Sequence, residues 1–266
     1  RTSLNYDRLF AETLKGRPVV LGYYFSGIDD ARRSGALPAP VWPAGHLARR
    51  PDTLLDWKGY GGNLPELQKN AASAGHFNPV VDFDGVSRRV PLVVRHDGNY
   101  YEALALAMVR QLLGGAVLKP GYPDAGSGME WLEVGGERSG MRIPVDEIGA
   151  ALIPFRGGER SFPYVSAADV LQGRVDGARL NGRIAFVGTT APGLMDLRST
   201  PVGATYPGVE IHANMVAGML DGSIRQRPPY VLGAEVLGLL LLGALLTLLL
   251  PLVSPLRASL LTAASL

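Results

Sequence analysis

Apolar residues recur along this chain with two different periods, and the alternation between them predicts an α/β protein. In 5–14, Leu9, Phe10, Thr13 and Leu14 fall at helical spacing, and Gly16 stands where such a helix would end. The β-rich run 19–25, bounded by Pro18 and by Ser26 and Gly27, has the length of one buried strand. Asn63 and Glu66 have the spacing of a capping box, predicting a helix that Gly75 closes. Runs 79–83 and 86–94 read as two strands joined at Asp84 and Gly85, a pair suited to a tight hairpin.

Alternation in the second of these strands gathers Val86, Val90, Leu92 and Val94 on one face with Arg88, leaving Ser87, Arg89 and Arg95 on the other. Arg88 either meets a carboxylate, with Asp82 or Asp84 in reach, or extends its head to water. The Ala- and Leu-rich run 100–113 predicts a buried helix ended by Gly114 and Gly115, with Glu102 and Arg110 as its charges. Short strands are expected at 131–134, 141–145 and 152–155. Ser166 and Asp169 repeat the capping-box spacing ahead of a helix that Gly173 closes. Finally, 183–187 reads as an apolar strand and 209–220 as a helix stopped by Gly222. The predicted class is α/β, a mixed sheet flanked by helices, with no persistent period in 26–62 or 116–150.

A different pattern follows. From 230 to 250 the chain is apolar except for Glu235, which at about 1.5 Å per residue matches the roughly 30 Å hydrocarbon core of a bilayer. We read 229–251 as a transmembrane helix and 256–266 as the start of a second one. The lipid bilayer is therefore an expected partner. Residue 1 is expected to fall within the domain 1–228, with its opening part lying upstream.

Composition narrows the classes. The 47% apolar content of the 266 residues suffices for a substantial core. A formal charge of +2, with no basic run interleaved with aromatics, gives no reason to expect nucleic acid. With no cysteine, disulfides and thiolate metal sites are excluded.

The densest chemistry lies in 187–214. Glu210, His212 and Asn214 invite a metal reading, since carboxylate and imidazole both bind divalent ions. On a helix, however, Glu210, Asn214, Ala217 and Asp221 share one face, while His212 falls among Met215, Val216 and Met219. No metal site is expected; His212 reads as a hydrogen-bonded core or interface residue, or as a pocket or proton-sensing one. The turn 188–193 lacks the Lys-Ser/Thr of a phosphate loop, and Pro192 removes an amide donor, so no nucleotide or other cofactor is expected. The loop does carry Asp196, Arg198, Ser199 and Thr200 beyond the expected strand 183–187, where open α/β sheets bind ligands. A pairing of Asp196 with Arg198 or Arg88 that merely shapes the loop is the alternative. No nucleophile elbow occurs, and none of His46, His76, His96 and His212 has a motif-like partner, which argues against catalysis.

The blocks 82–92, 100–106, 161–171, 187–201 and 208–214, in this order, resemble the second family of CHASE domains, extracytoplasmic sensory domains of bacterial membrane receptors. The resemblance covers roughly 1–228. It implies a periplasmic or extracellular sensor for an unidentified ligand, anchored in the plasma membrane. A cytoplasmic output module would follow, most often a nucleotide cyclase and otherwise a kinase. A homodimer is expected, and a purely structural dimerisation module without a small-molecule ligand is the alternative. Arg88, Asp196, Arg198, Thr200, Glu210, His212 and Asn214 are the expected ligand-binding or coupling residues.

Overall fold

The computed structural model describes residues 5–27, 32–47, 53–123, 128–135, 140–190, 196–226 and 230–249, with Ser259 and Ala263. The chain divides into two compact units, Arg1–Gln226 and Arg227–Leu266. The expected second span at 256–266 lies outside the described residues but for Ser259 and Ala263.

Within the first unit, helix α1 (Tyr6–Leu14) begins where the Asn5 side chain accepts the Arg8 amide at 2.9 Å. Strand β1 (Val20–Ser26) anchors a four-stranded mixed sheet in the order β2-β3-β1-β4, with β2 at Arg33–Ser34, β3 at Gly59–Gly61 and β4 at Ser73–His76. β4 runs parallel to β1, so Tyr23 and His76 are register partners; β3 runs antiparallel to it. The long excursion 26–62 thus returns to supply two strands of this sheet.

Helix α2 (Pro65–Asn70) corrects the first expected capping box. Pro65 occupies the opening helical turn, which makes Leu64 the cap residue. Asn63 lies one position too early and its amide instead meets Gln68 Oε1 at 3.2 Å. Gly75 closes no helix. It sits inside β4, where an added β-carbon would stand 2.5 Å from the Leu104 backbone, so glycine is what lets the next helix pack against the strand.

The expected strand pair around Asp84 also changes. A turn forms there, with Gly85 at φ +81° and Gly85 N donating to Asp82 O at 2.9 Å, but 79–83 is not a strand. The strands are β5 (Arg89–Pro91), β6 (Val93–His96) and β7 (Asn99–Glu102). The true hairpin joins β6 to β7 through Asp97 and Gly98, both at positive φ, as a tight turn of that hand requires. Tyr100 therefore lies in a strand. Helix α3 is confined to Leu104–Leu112, with Ala105, Leu106, Ala107 and Val109 buried.

Strands β8 (Leu118–Gly121), β9 (Trp131–Val134) and β10 (Met141–Pro144) form an antiparallel sheet, two of them at the expected positions. β11 is Ala150–Leu152 rather than 152–155, because its register partner is β5. Helix α4 (Ala167–Leu171) starts after Ser166 as expected, but without a side-chain cap bond; Asp169 pairs with Arg174. The expected strand at 183–187 does not form. It has no ladder partner among the described residues, Val187 is 95% exposed, and only Phe186 reaches the core.

The hairpin β12 (Leu197–Thr200) and β13 (Gly203–Pro207) leads into α5 (Gly208–Asp221), which ends at Gly222 in the left-handed conformation. α5 drives Ile211, Met215, Val216 and Met219 into the main core beside Leu92, Leu106, Val109, Leu132 and Ile143. A second, aromatic cluster under β1 holds Tyr23, Phe25, Ala74, Val94 and Tyr101.

The second unit contains α6 (Tyr230–Leu249). It is 20 residues long, its most apolar 18-residue stretch has a mean hydropathy of 2.3 and none of its residues is buried, so by length and composition it is apolar enough to cross a membrane.

Candidate functional site

α5 collects three of the seven expected residues. At its start Pro207 has no side-chain group to offer the free amides of the first turn. Asp196, just ahead of β12, fills that role from outside the helix: its carbonyl accepts Gly208 N at 2.8 Å and its carboxylate accepts the Val209 amide. Burial pushes the half-buried carboxyl up, while the nearby Arg198 charge and the Val209 N–H pull it down. The side chain rests against Gly208, where a β-carbon would stand 2.2 Å from Asp196 Oδ1.

Asp196 forms no ion pair with either arginine weighed for it. Arg198 sits in β12 opposite Tyr206, and Arg88 is engaged elsewhere, donating to Asp82 at 2.9 Å and bidentately to Asp84 at 2.9 and 2.7 Å. Arg88 thus finds both carboxylates in reach of it, at a partly exposed position rather than an interior one. Arg89, placed on the opposite face by alternation, joins the same network through Asp82 and Asp146, each at 2.7 Å. Arg88 and Arg89 hold the Asp84 and Asp82 carboxyls well below their ordinary range, Asp84 at about 2. Thr200 is buried and donates to Gly203 O at 3.0 Å, closing the β12–β13 turn. Ser87 N donates to Ser199 O at 2.8 Å, linking the Arg88 segment to β12 by backbone.

Further along α5, Glu210 and Asn214 point to one side as helical spacing predicts. Glu210 Oε2 accepts the Tyr164 hydroxyl at 2.6 Å and the Arg160 amide at 3.0 Å. Asn214 accepts the Arg156 amide at 3.0 Å and donates to the Tyr206 hydroxyl at 2.8 Å and to Glu210 O at 2.9 Å. Asp221, on the same face, pairs with the Arg156 guanidinium. The two buried polar residues therefore bind the irregular segment 156–164 to the helix, with Glu210 bonding the amide of Arg160, which has a left-handed φ of 68°. Burial raises the hydroxyl pKa of Tyr164 and Tyr206, and the Glu210 carboxylate adds to both effects.

His212 faces the other way, hydrogen-bonded to the Phe77 backbone beyond β4 with its Nδ1 unpartnered. Among the described residues no three of His, Cys, Asp and Glu are placed to share a metal ion. Ala191, Pro192 and Gly193 of the turn 188–193 lie outside the described residues. With 183–187 irregular, Asp196 does not lie beyond the end of a strand. Sequence reasoning missed Tyr164, Tyr206, Arg156 and Arg160, whose roles rest on contacts across tens of residues. It also passed over His76, which no local motif distinguishes.

These features define a mixed α/β domain in which the buried side chains of Glu210 and Asn214 tie its closing helix to the segment 156–164, followed in sequence by a long apolar helix. The family model for the CHASE2 domain matches residues 1–250, and the chain belongs to that family of extracellular sensory domains of signalling proteins. No curated protein and no solved structure shows a significant match.

Proposed function

We propose that residues 1–226 are the extracytoplasmic sensory part of a membrane-bound signalling protein and that α6 crosses the bilayer. The α5 helix is then the element that carries a change in the domain toward the membrane. The match over 1–250 carries this reading, because it takes in the folded unit and α6 as one family pattern. Support comes from α5, whose start is tied to Asp196 and whose Glu210, Asn214 and Asp221 face is tied to 156–164, and which lies only a short stretch of chain ahead of α6. Asp196, bonded at the first turn of α5, is the coupling residue of this scheme, with Arg198, Thr200 and Arg88 in the hairpin and strand edge that position it. An unidentified small ligand is sensed outside the cytoplasm, and the output module is a nucleotide cyclase.

The test uses the full-length protein in cell membranes. Conversion of ATP or GTP to the cyclic nucleotide is expected, and Asp196→Ala is expected to change that output at least threefold while the domain stays folded. Membranes without cyclase activity would remove the output assignment, and an unchanged output would remove the coupling role of Asp196.

A second reading, an assembly module that holds a homodimer, is favoured by α1, which leaves Tyr6, Leu9 and Phe10 exposed on one helix. Concentration-dependent association abolished by Phe10→Asp is its expected signature.

A further inference from the structure

Burying an imidazole is ordinary when its ring nitrogens are hydrogen-bonded, and costly when they are not. His76 in β4 is fully buried, and neither of its ring nitrogens has a partner; His212 in α5 is buried with Nδ1 unpartnered. The rings are close enough that a charge on one acts on the other. His212 bonds the Phe77 backbone, the residue after His76, and with Nδ1 free that bond falls to Nε2. The Nδ1 lone pair is then the proton-accepting position. Two basic nitrogen centres, one on β4 and one on α5, are thus both buried within electrostatic range of each other.

The surroundings offer no counter-charge. Tyr23 of β1 is the register partner of His76, and its hydroxyl is buried and unpartnered. From β7 come Tyr101 and Glu102, the latter bound to Arg110 of α3 at 2.6 Å. The other acids of α5 are committed elsewhere, Glu210 to Tyr164 and the Arg160 amide and Asp221 to Arg156. The remaining neighbour, Phe25, offers only a ring, 5.8 Å from that of His76. Among the described residues no carboxylate lies within 4.0 Å of either imidazole.

We infer that His76 and His212 form a proton-binding latch between β4 and α5, closed while both rings are neutral and opened when either takes up a proton. The first proton would place an uncompensated charge in the interior, and the second would add like-charge repulsion. Water is the solvent that relieves both, and α5 must part from β4 to admit it.

The direction with pH follows from the shifts. Burial lowers His212 from 6.5 to about 4; burial, helped by His212, lowers His76 to about 3. Folding therefore disfavours protonation, so the stability the neutral pair contributes is complete above about pH 6.5 and declines as pH falls toward 4 and below. This inference does not rest on the signalling role, because its readout is proton linkage to the fold.

The experiment takes the full chain in detergent micelles and follows urea unfolding by the fluorescence of Trp42, Trp57 and Trp131, all in the first unit. Wild type is compared with His76→Phe/His212→Gln, in which Gln keeps a donor for the Phe77 carbonyl. Near pH 5 the unfolding constant of wild type should rise with acidity more steeply than that of the variant, by up to about 100-fold per pH unit for two protons. Equal slopes would overturn the inference. Hydrogen exchange at pH 5 and pH 7 should show protection lost first in 208–221, and uniform loss across the domain would overturn the latch. Should the double variant not fold, the imidazole NMR signals of wild type decide: neutral rings for His76 and His212 at pH 5.5 are required, and a charged ring there contradicts the proposal.

Discussion

The carboxylate of Asp196 lies against the α-carbon of Gly208, so close that a β-carbon there would stand 2.2 Å from Oδ1. In an isolated helix Gly→Ala is worth up to about 1 kcal/mol in favour of alanine. Here the clash decides the sign. Gly208→Ala should destabilise the domain by about 1–3 kcal/mol, and in an Asp196→Ala background the same change should become neutral or stabilising. A double-mutant cycle in urea unfolding measures this coupling; additive effects would show that Asp196 does not seat α5.

Tyr164 and Glu210 should behave as a unit. Tyr164→Phe removes the 2.6 Å donor from a carboxylate that is almost wholly buried. A loss of about 1–3 kcal/mol is expected, since the buried acceptor remains and keeps only the Arg160 amide of its two donors. Hydrogen exchange should then rise in 156–164 before the rest of the domain. A change below about 0.5 kcal/mol would mean that the segment is held by other contacts.

Glu102 and Arg110 form a largely enclosed ion pair, 2.6 Å apart. Burial raises the Glu102 carboxyl, and Arg110 opposes that rise. Glu102→Ala leaves a cation with only the Ala116 carbonyl, 2.7 Å from its Nε. About 3 kcal/mol should be lost. The pair Glu102→Leu/Arg110→Met should lose much less, and an equal loss would show that packing rather than charge is responsible.

The Asp82, Asp84, Arg88 and Arg89 network titrates in a different window from the histidines. Its carboxyls lie below their unfolded value of 3.8, Asp84 at about 2. Depressed acids contribute stability that is complete above the unfolded value and lost as pH falls through the folded one, so this loss is confined to about pH 4 to 2. Arg88→Ala should remove much of it and change stability only slightly at neutral pH, because the Arg88 pairs are partly exposed and screened by water. A change in slope between pH 6.5 and 5 in that variant would contradict the assignment.

What the sequence made legible were patterns decided within one turn or one strand. α1, α5 with its Gly222 stop, β9, β10 and the opposed faces of Glu210 and His212 all follow from spacing. What escaped was decided by distant neighbours. Asp84-Gly85 and Asp97-Gly98 look alike as dipeptides, yet the first is closed by a single antiparallel bridge, Val80 with Arg89, while the second is flanked by a full ladder, Val93–His96 with Asn99–Glu102. Gly75 reads as a helix stop and is instead a clearance for Leu104. The run 183–187 has the composition of a buried strand, but among the described residues no strand pairs with it. For the site, the residues of 208–214 were found by motif, but Tyr164, Tyr206 and His76 were given meaning only by what packs on α5.

Location of the first unit tests the sensory assignment most directly, and the chain is suited to the measurement because it has no cysteine. Phe83 is fully exposed at the Asp84 turn, so Phe83→Cys places a reactive thiol in the first unit at little cost to the fold, and its labelling is read against the unsubstituted protein. In intact cells producing the full-length protein, a membrane-impermeant maleimide should label this cysteine without lysis. Labelling that appears only after the cells are opened would place the domain in the cytoplasm and contradict an extracytoplasmic sensor.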